Sequence, residues 1–167
     1  AGIGGGTLSG NGTILIYGGN ITGTGTSNGA GIGSGGTSSQ MTQNMGNVTI
    51  LGGIVTGRTL WGAGIGSGRG NKSGGSLTVL GDNVQGYSDG GRGEGIGRGQ
   101  NAADIGKMVL SDGTPIISGA YTLPVSYTVD ESNTLNVPAG TTLTIPAGVT
   151  LTNSGTITVQ EGGTLIN

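Results

Sequence analysis

Apolar residues fall along this chain in short alternating runs broken by glycine. Ile14 and Ile16 mark one strand, Gly18-Gly19 a bend, and Ile21 a second short strand. Alternation of this kind is the signature of a strand with one buried face, and paired glycines mark bends. The unit returns as Val48, Ile50 and Val55 around Gly52-Gly53, then as Leu77, Val79 and Val84 around Gly81. A fourth, degraded version places Met108 and Leu110 at the first two marks. Its third mark slips to Ile116, just after Pro115. Measured at Ile14, Val48, Leu77 and Met108, the units lie 34, 29 and 31 residues apart.

A second phrase recurs with the first. Ala1-Gly2-Ile3-Gly4, Ala30-Gly31-Ile32-Gly33, Ala63-Gly64-Ile65-Gly66 and Glu94-Gly95-Ile96-Gly97 each frame one isoleucine between glycines. Glycine suits sharp corners and lets neighbouring backbones approach closely. Repetition at 20–50 residues points to stacked supersecondary units, each too small to bury its own apolar face.

After about residue 120 the phrasing tightens. Leu135 and Ile157, Val137 and Val159, and Leu143 and Leu165 are all separated by 22 residues, with Pro-Ala-Gly, Asn-Ser-Gly and Glu-Gly-Gly corners between short strands. Ser38 to Met45 is polar and lengthens the path from Ile32 to Val48, which reads as an excursion from the repeating body. No segment carries a convincing helical period.

These patterns predict an all-β chain, a single-stranded right-handed parallel β-helix, or solenoid. Equivalent isoleucines would stack about 4.8 Å apart. Residues 1–167 read as one domain, with Gly-Ala-Gly-Ile-Gly repeats over 1–120 and 22-residue coils over 121–167. The chain starts inside a repeat and stops inside a strand-like run, so it reads as a piece of a longer protein. An antiparallel sandwich competes, since its strands also recur every 8–12 residues.

Composition narrows the chemistry. Glycine supplies 42 of 167 residues, yet ordered Ile, Val and Leu positions separate the chain from a flexible linker. Six basic residues and a net charge of −2 give no nucleic-acid footprint. Cysteine and histidine are absent, which removes disulfides, thiol chemistry and histidine-based triads. No run is long enough for a membrane helix. The glycine clusters lack the Lys-Ser/Thr ending of a phosphate loop. Neither a cofactor nor a metal site is expected.

The Gly-Ala-Gly-Ile-Gly segments and the string Leu143-Thr-Ile-Pro-Ala-Gly-Val-Thr-Leu-Thr-Asn-Ser-Gly-Thr156 resemble repeats of large bacterial surface proteins, often called adhesin-like or carbohydrate-binding. The resemblance implies β-helical modules displayed outside the cell, with glycans or host surfaces as partners. It supplies no catalytic motif, and the chain is expected not to be an enzyme. A fragment of a carbohydrate-active enzyme and a pure structural spacer are the other readings. Uncapped ends would favour end-to-end self-association.

Candidate binding residues are Arg58, Trp61, Arg69, Tyr87, Arg92, Glu94 and Arg98, with Lys72 nearby in sequence. Aromatic rings stack on sugar rings, and arginines hydrogen-bond hydroxyls. Trp61 and Tyr87 read as occupants of corresponding loops. Packing of the single tryptophan beneath its own loop is the alternative. Glycoside hydrolysis needs two facing carboxylates. Asp82 and Asp112, or Asp89 and Glu94 beside Arg92, are the candidates, against the simpler reading of a solvated rim.

Overall fold

The computed structural model describes residues 1–9, 12–39, 41–111 and 113–167, without the side chains at 41–43 and 73. The first unit contains β1 (Ile3–Gly4), β2 (Thr13–Ile16) and β3 (Asn20–Thr24). The second contains β4 (Ile32–Gly33), β5 (Met41–Ile50) and β6 (Ile54–Thr59). The third contains β7 (Ile65–Gly66), β8 (Asn71–Val79) and β9 (Asn83–Ser88). Then come β10 (Ile96–Gly97), β11 (Gly106–Ser111), β12 (Thr114–Ser118), β13 (Ala120–Thr122) and β14 (Tyr127–Val129). The chain continues through β15 (Thr134–Val137), β16 (Thr142–Thr144), β17 (Leu151–Asn153), β18 (Thr156–Val159) and β19 (Thr164–Ile166).

Among the described residues these strands form five separate sheets. β1, β4, β7 and β10 make a narrow glycine–isoleucine sheet, and β3, β6 and β9 an outer sheet. A long sheet runs in the order β2-β5-β8-β11-β12-β15-β18. β13, β16 and β19 form a fourth sheet, and β14 and β17 a fifth.

The apolar marks set the register of the first three units. Ile14, Val48 and Leu77 pair in line, as do Ile16, Ile50 and Val79. Ile21, Val55 and Val84 form a third column, and Ile3, Ile32, Ile65 and Ile96 a fourth. The four columns meet in one core, where Ile32, Ile65, Val48 and Val55 have no exposed surface. Burying such a side chain stabilises by about 1.5–3 kcal/mol.

Neighbouring backbones lie too close for side chains at two sets of glycines. Gly33 and Gly66 have φ of +137° and +133°, and a Cβ on either would fall on the carbonyl oxygen of the equivalent glycine in the next unit. Gly57 and Gly86 on the outer sheet face the backbone at Gly64 and Gly95, where a Cβ would meet the carbonyl oxygen. The glycine–isoleucine and outer sheets therefore meet backbone to backbone at this point.

The long sheet overturns the purely parallel β-helix, or solenoid. β11 lies parallel to β8, but β11 and β12 form an antiparallel hairpin that pairs Met108 with Ile117 and Ser111 with Thr114. β12 then pairs in parallel with β15, and β15 with β18, so the last three strands run opposite to the first four. The physical cause begins one residue earlier. Lys107 pairs with Leu77 and Val109 with Val79, so Met108 sits beside Thr78 instead of Leu77. A one-residue shift moves every side chain to the other face of a sheet. Val109 thus packs on the first core, whereas Met108 joins a second core on the opposite face. The architecture is all-β with one mixed sheet that is shared by two cores.

That second core contains Met108, Ile117, Tyr121, Leu123, Val129, Leu135, Val137 and Leu143. Its 22-residue interval is a strand register: Leu135 pairs with Ile157, Val137 with Val159 and Leu143 with Leu165. Strand direction and core side both reverse at the hairpin, which together amount to a half-turn about the long axis of the sheet.

The polar segment before Val48 is also corrected. Residues from Met41 onward belong to β5 and pair with β8, with an irregularity between Met41 and Asn44. Met45 is fully buried in the first core. Backbone pairing holds this segment in the sheet despite its polar composition.

Candidate functional site

The outer sheet presents three aligned rows of side chains to solvent. Register pairs Asn20 with Ile54 and Asn83, Thr22 with Thr56 and Gln85, and Thr24 with Arg58 and Tyr87. Alternation along a strand sends these residues outward because Ile21, Val55 and Val84 point inward.

In the last row, the Arg58 guanidinium lies 4.7 Å from the centre of the Tyr87 ring. Its Nη2 donates to Asp89 Oδ1 at 2.9 Å and its Nε to Oδ2 at 3.3 Å. The Tyr87 hydroxyl donates to Gln85 Oε1 at 2.7 Å. Gln85, Tyr87, Arg58 and Asp89 thus form one connected run across two units. The hydrogen bonds and charge of Asp89 raise the pKa of Arg58 further above its ordinary value. Arg58 and Asp89 are exposed, so their pairing orients side chains more than it stabilises the fold.

Trp61 and Arg69 form a separate pair. The Arg69 guanidinium stands 5.2 Å from the Trp61 ring centre and donates from Nη1 to Asn28 Oδ1 at 3.3 Å. Gly90 packs beneath the indole, where a Cβ would lie 2.8 Å from Trp61 Cδ1. Trp61 is half-buried. Tyr87 is not its counterpart in the next unit: Tyr87 is on β9 in register with Arg58, whereas Gly90 lies under Trp61.

Arg92, Glu94 and Arg98 belong to a third place. Arg98 reaches Glu94 at 3.3 Å and Asp104 at 2.7 Å, and Lys107 donates to Glu94 at 2.8 Å. These residues line a cavity of about 370 Å³ with Ile105 and Thr141. Arg92 and Asn101 line a neighbouring cavity of about 360 Å³ with Glu94 and Arg98.

Glu94 also completes a hydrogen-bond ladder. Ser34 N–H donates to Gly66 O at 3.1 Å, and Ser67 N–H to Gly97 O at 3.0 Å. In the last unit Arg98 N–H donates to Glu94 Oε2 at 3.3 Å. A Cβ on Gly97 would fall on that same carboxylate, just as one on Gly66 would fall on Gly97 O. The side chain stands where a further unit would supply its carbonyl. Charged residues are a common means of closing a sheet edge.

The structure therefore divides the seven candidates among three places, and Lys72 is exposed elsewhere. Asp89 joins Arg58 instead of forming an acidic pair with Glu94. Asp112 lies outside the described residues. Among those described, no group of three or more Asp or Glu is arranged to hold a metal ion. Gln85 is the member of the outer-sheet run absent from the sequence-derived candidates, and Asp89 was considered there only as half of a carboxylate pair. The 29-residue interval between these units sets Arg58 beside Tyr87, and Asp89 lies two residues further on, 31 from Arg58, within one strand step of that register.

No protein-family model matches the chain, and the searches of characterised proteins and solved structures give no match either. The likeness to bacterial surface repeats rests on its motifs alone.

Proposed function

We propose that this chain is a non-catalytic glycan-binding or adhesion module whose contact surface is the outward face of the outer sheet. The observation that carries this reading is the connected Gln85–Tyr87–Arg58–Asp89 run. It places an aromatic ring, 38% exposed for its residue, among fixed amide, guanidinium and carboxylate groups. Sugars are recognised by this combination of an apolar ring face and oriented polar groups. Thr24 extends the same row, and the adjoining rows add Thr22, Thr56, Asn20 and Asn83 along a regular strip. Display at a bacterial cell surface belongs to the same reading and is supported by the motif resemblance.

Glycan-array screening followed by titration calorimetry tests the proposal. Tyr87→Ala is expected to weaken binding by roughly tenfold or more, corresponding to about 1.4 kcal/mol. Trp61→Ala should change affinity less, because that ring already contacts Arg69 and Gly90. Full affinity in Tyr87→Ala would remove the outer face from consideration. A structural spacer is the second reading, favoured by Arg58 already covering one face of Tyr87. Absence of binding to every glycan would favour it.

A further inference from the structure

We infer that Asp89 sets the charge selectivity of the outer face by occupying the carboxylate-binding edge of Arg58, so that the face takes neutral saccharides and excludes acidic ones. This rests on the glycan-binding reading and deepens it.

Arginine recognises carboxylates through two neighbouring N–H donors acting as a fork. On Arg58 the Nε/Nη2 edge is already engaged by both oxygens of Asp89, at 3.3 and 2.9 Å. The ring of Tyr87 lies against the guanidinium face. Arg58 Nη1 has no partner among the described residues and remains able to donate to a hydroxyl or carbonyl oxygen.

The charge balance points the same way. Arg58 is the only cation in the three aligned rows, whose other members are Asn, Thr, Gln, Ile and Tyr. Asp89 cancels that charge, leaving the three rows with no net positive charge to collect a polyanion. The competition also favours Asp89. Its backbone N–H donates to Thr59 O at 2.7 Å, anchoring it to the unit that carries Arg58. A tethered carboxylate has an effective concentration of around millimolar or higher. An incoming uronate must displace that internal partner, whereas a neutral sugar need not.

The experiment compares wild type, Asp89→Asn and Asp89→Asn/Arg58→Ala, using neutral xylo-oligosaccharides and oligogalacturonate as probes. Calorimetry at low and moderate salt gives the affinities, and thermal melts check folding. Wild type should prefer the neutral probe. Asp89→Asn should gain roughly tenfold or more for oligogalacturonate, as expected for a charge-assisted bidentate contact. Added salt should reduce that gain, and the double variant should abolish it.

Neutral binding by wild type with no acidic gain in Asp89→Asn overturns the inference alone. Equal affinity of wild type for both probes also overturns it. Acidic binding in Asp89→Asn, with neither probe bound by wild type, leaves the Asp89 assignment standing and removes the glycan-module reading. Absence of binding in both proteins overturns both proposals. Asp89→Ser provides a second folded comparison, since position 89 is exposed and a smaller side chain there requires no repacking.

Discussion

The hydroxyls of Thr78 and Tyr121 lie 2.7 Å apart, with both side chains buried. Thr78 belongs to the strand that packs Leu77 and Val79 into the first core. Tyr121 belongs to the second. Their hydrogen bond crosses the wall shared by the two cores. Tyr121→Phe leaves the Thr78 hydroxyl buried without that partner and should cost about 1–3 kcal/mol in urea denaturation. Adding Thr78→Val should recover part of the loss, because removing both polar groups avoids an orphaned one. Additive losses in the double variant would show that the bond is not coupled.

Alkaline pH tests the same residue. Burial raises the Tyr121 phenol well above its ordinary value of 10.0, with the Thr78 hydrogen bond opposing the shift in part. The unfolded chain therefore loses this proton first as pH rises. The contribution to stability is full below about pH 10 and declines through the interval up to the folded value. Burial raises Tyr127 in the same direction, with Asp130 adding to it. Stability from denaturant midpoints should fall above pH 10, and Tyr121→Phe should flatten the decline.

Two glycine substitutions should separate close packing from mere looseness. Gly66→Ala places a methyl group on the Gly97 carbonyl at positive φ, and is expected to cost more than about 3 kcal/mol or prevent folding. Gly74→Ala meets no atom within 4 Å and should shift stability by less than about 1 kcal/mol. Thermal melts of both proteins give the comparison. Similar melting temperatures would contradict the close stacking of the glycine–isoleucine sheet.

Removal of the Glu94 carboxylate should loosen the upper edge of that sheet. Glu94→Ala deprives Arg98 N–H of its acceptor and is expected to cost about 1 kcal/mol, with faster amide exchange at Arg98. Glu94→Gln retains an acceptor and should lose less. Unchanged exchange at Arg98 in Glu94→Ala would show that the carboxylate does not close the ladder.

The isoleucine columns were legible because glycines isolate each apolar mark. Around β11 that clarity fails. Lys107-Met108-Val109-Leu110 has three consecutive apolar residues, so either alternating face reads as a buried one. Matching Met108 to Leu77 chose the wrong face, and the change of core side went unseen. A usable signal was present in Asp112-Gly113, since Asp-Gly between apolar runs favours a tight hairpin. The segment from Met41 looked like a loop because Gln, Asn and Thr dominate it, although strand pairing needs only its backbone. The candidate site was legible in residue type but not in partnership. Arg58 and Tyr87 were recognisable individually, while their contact depends on the register between units.

The Glu94 carboxylate gives the repeat array a stop mark. Duplication of an Ala-Gly-Ile-Gly unit before this position would leave the terminal ladder intact, because the new backbone would meet another backbone of the same form. Duplication after it would bring the added strand onto the carboxylate. Length variation in this half of the molecule is therefore polarised: growth by gene duplication is structurally permitted on the N-terminal side of Glu94 and obstructed on the other.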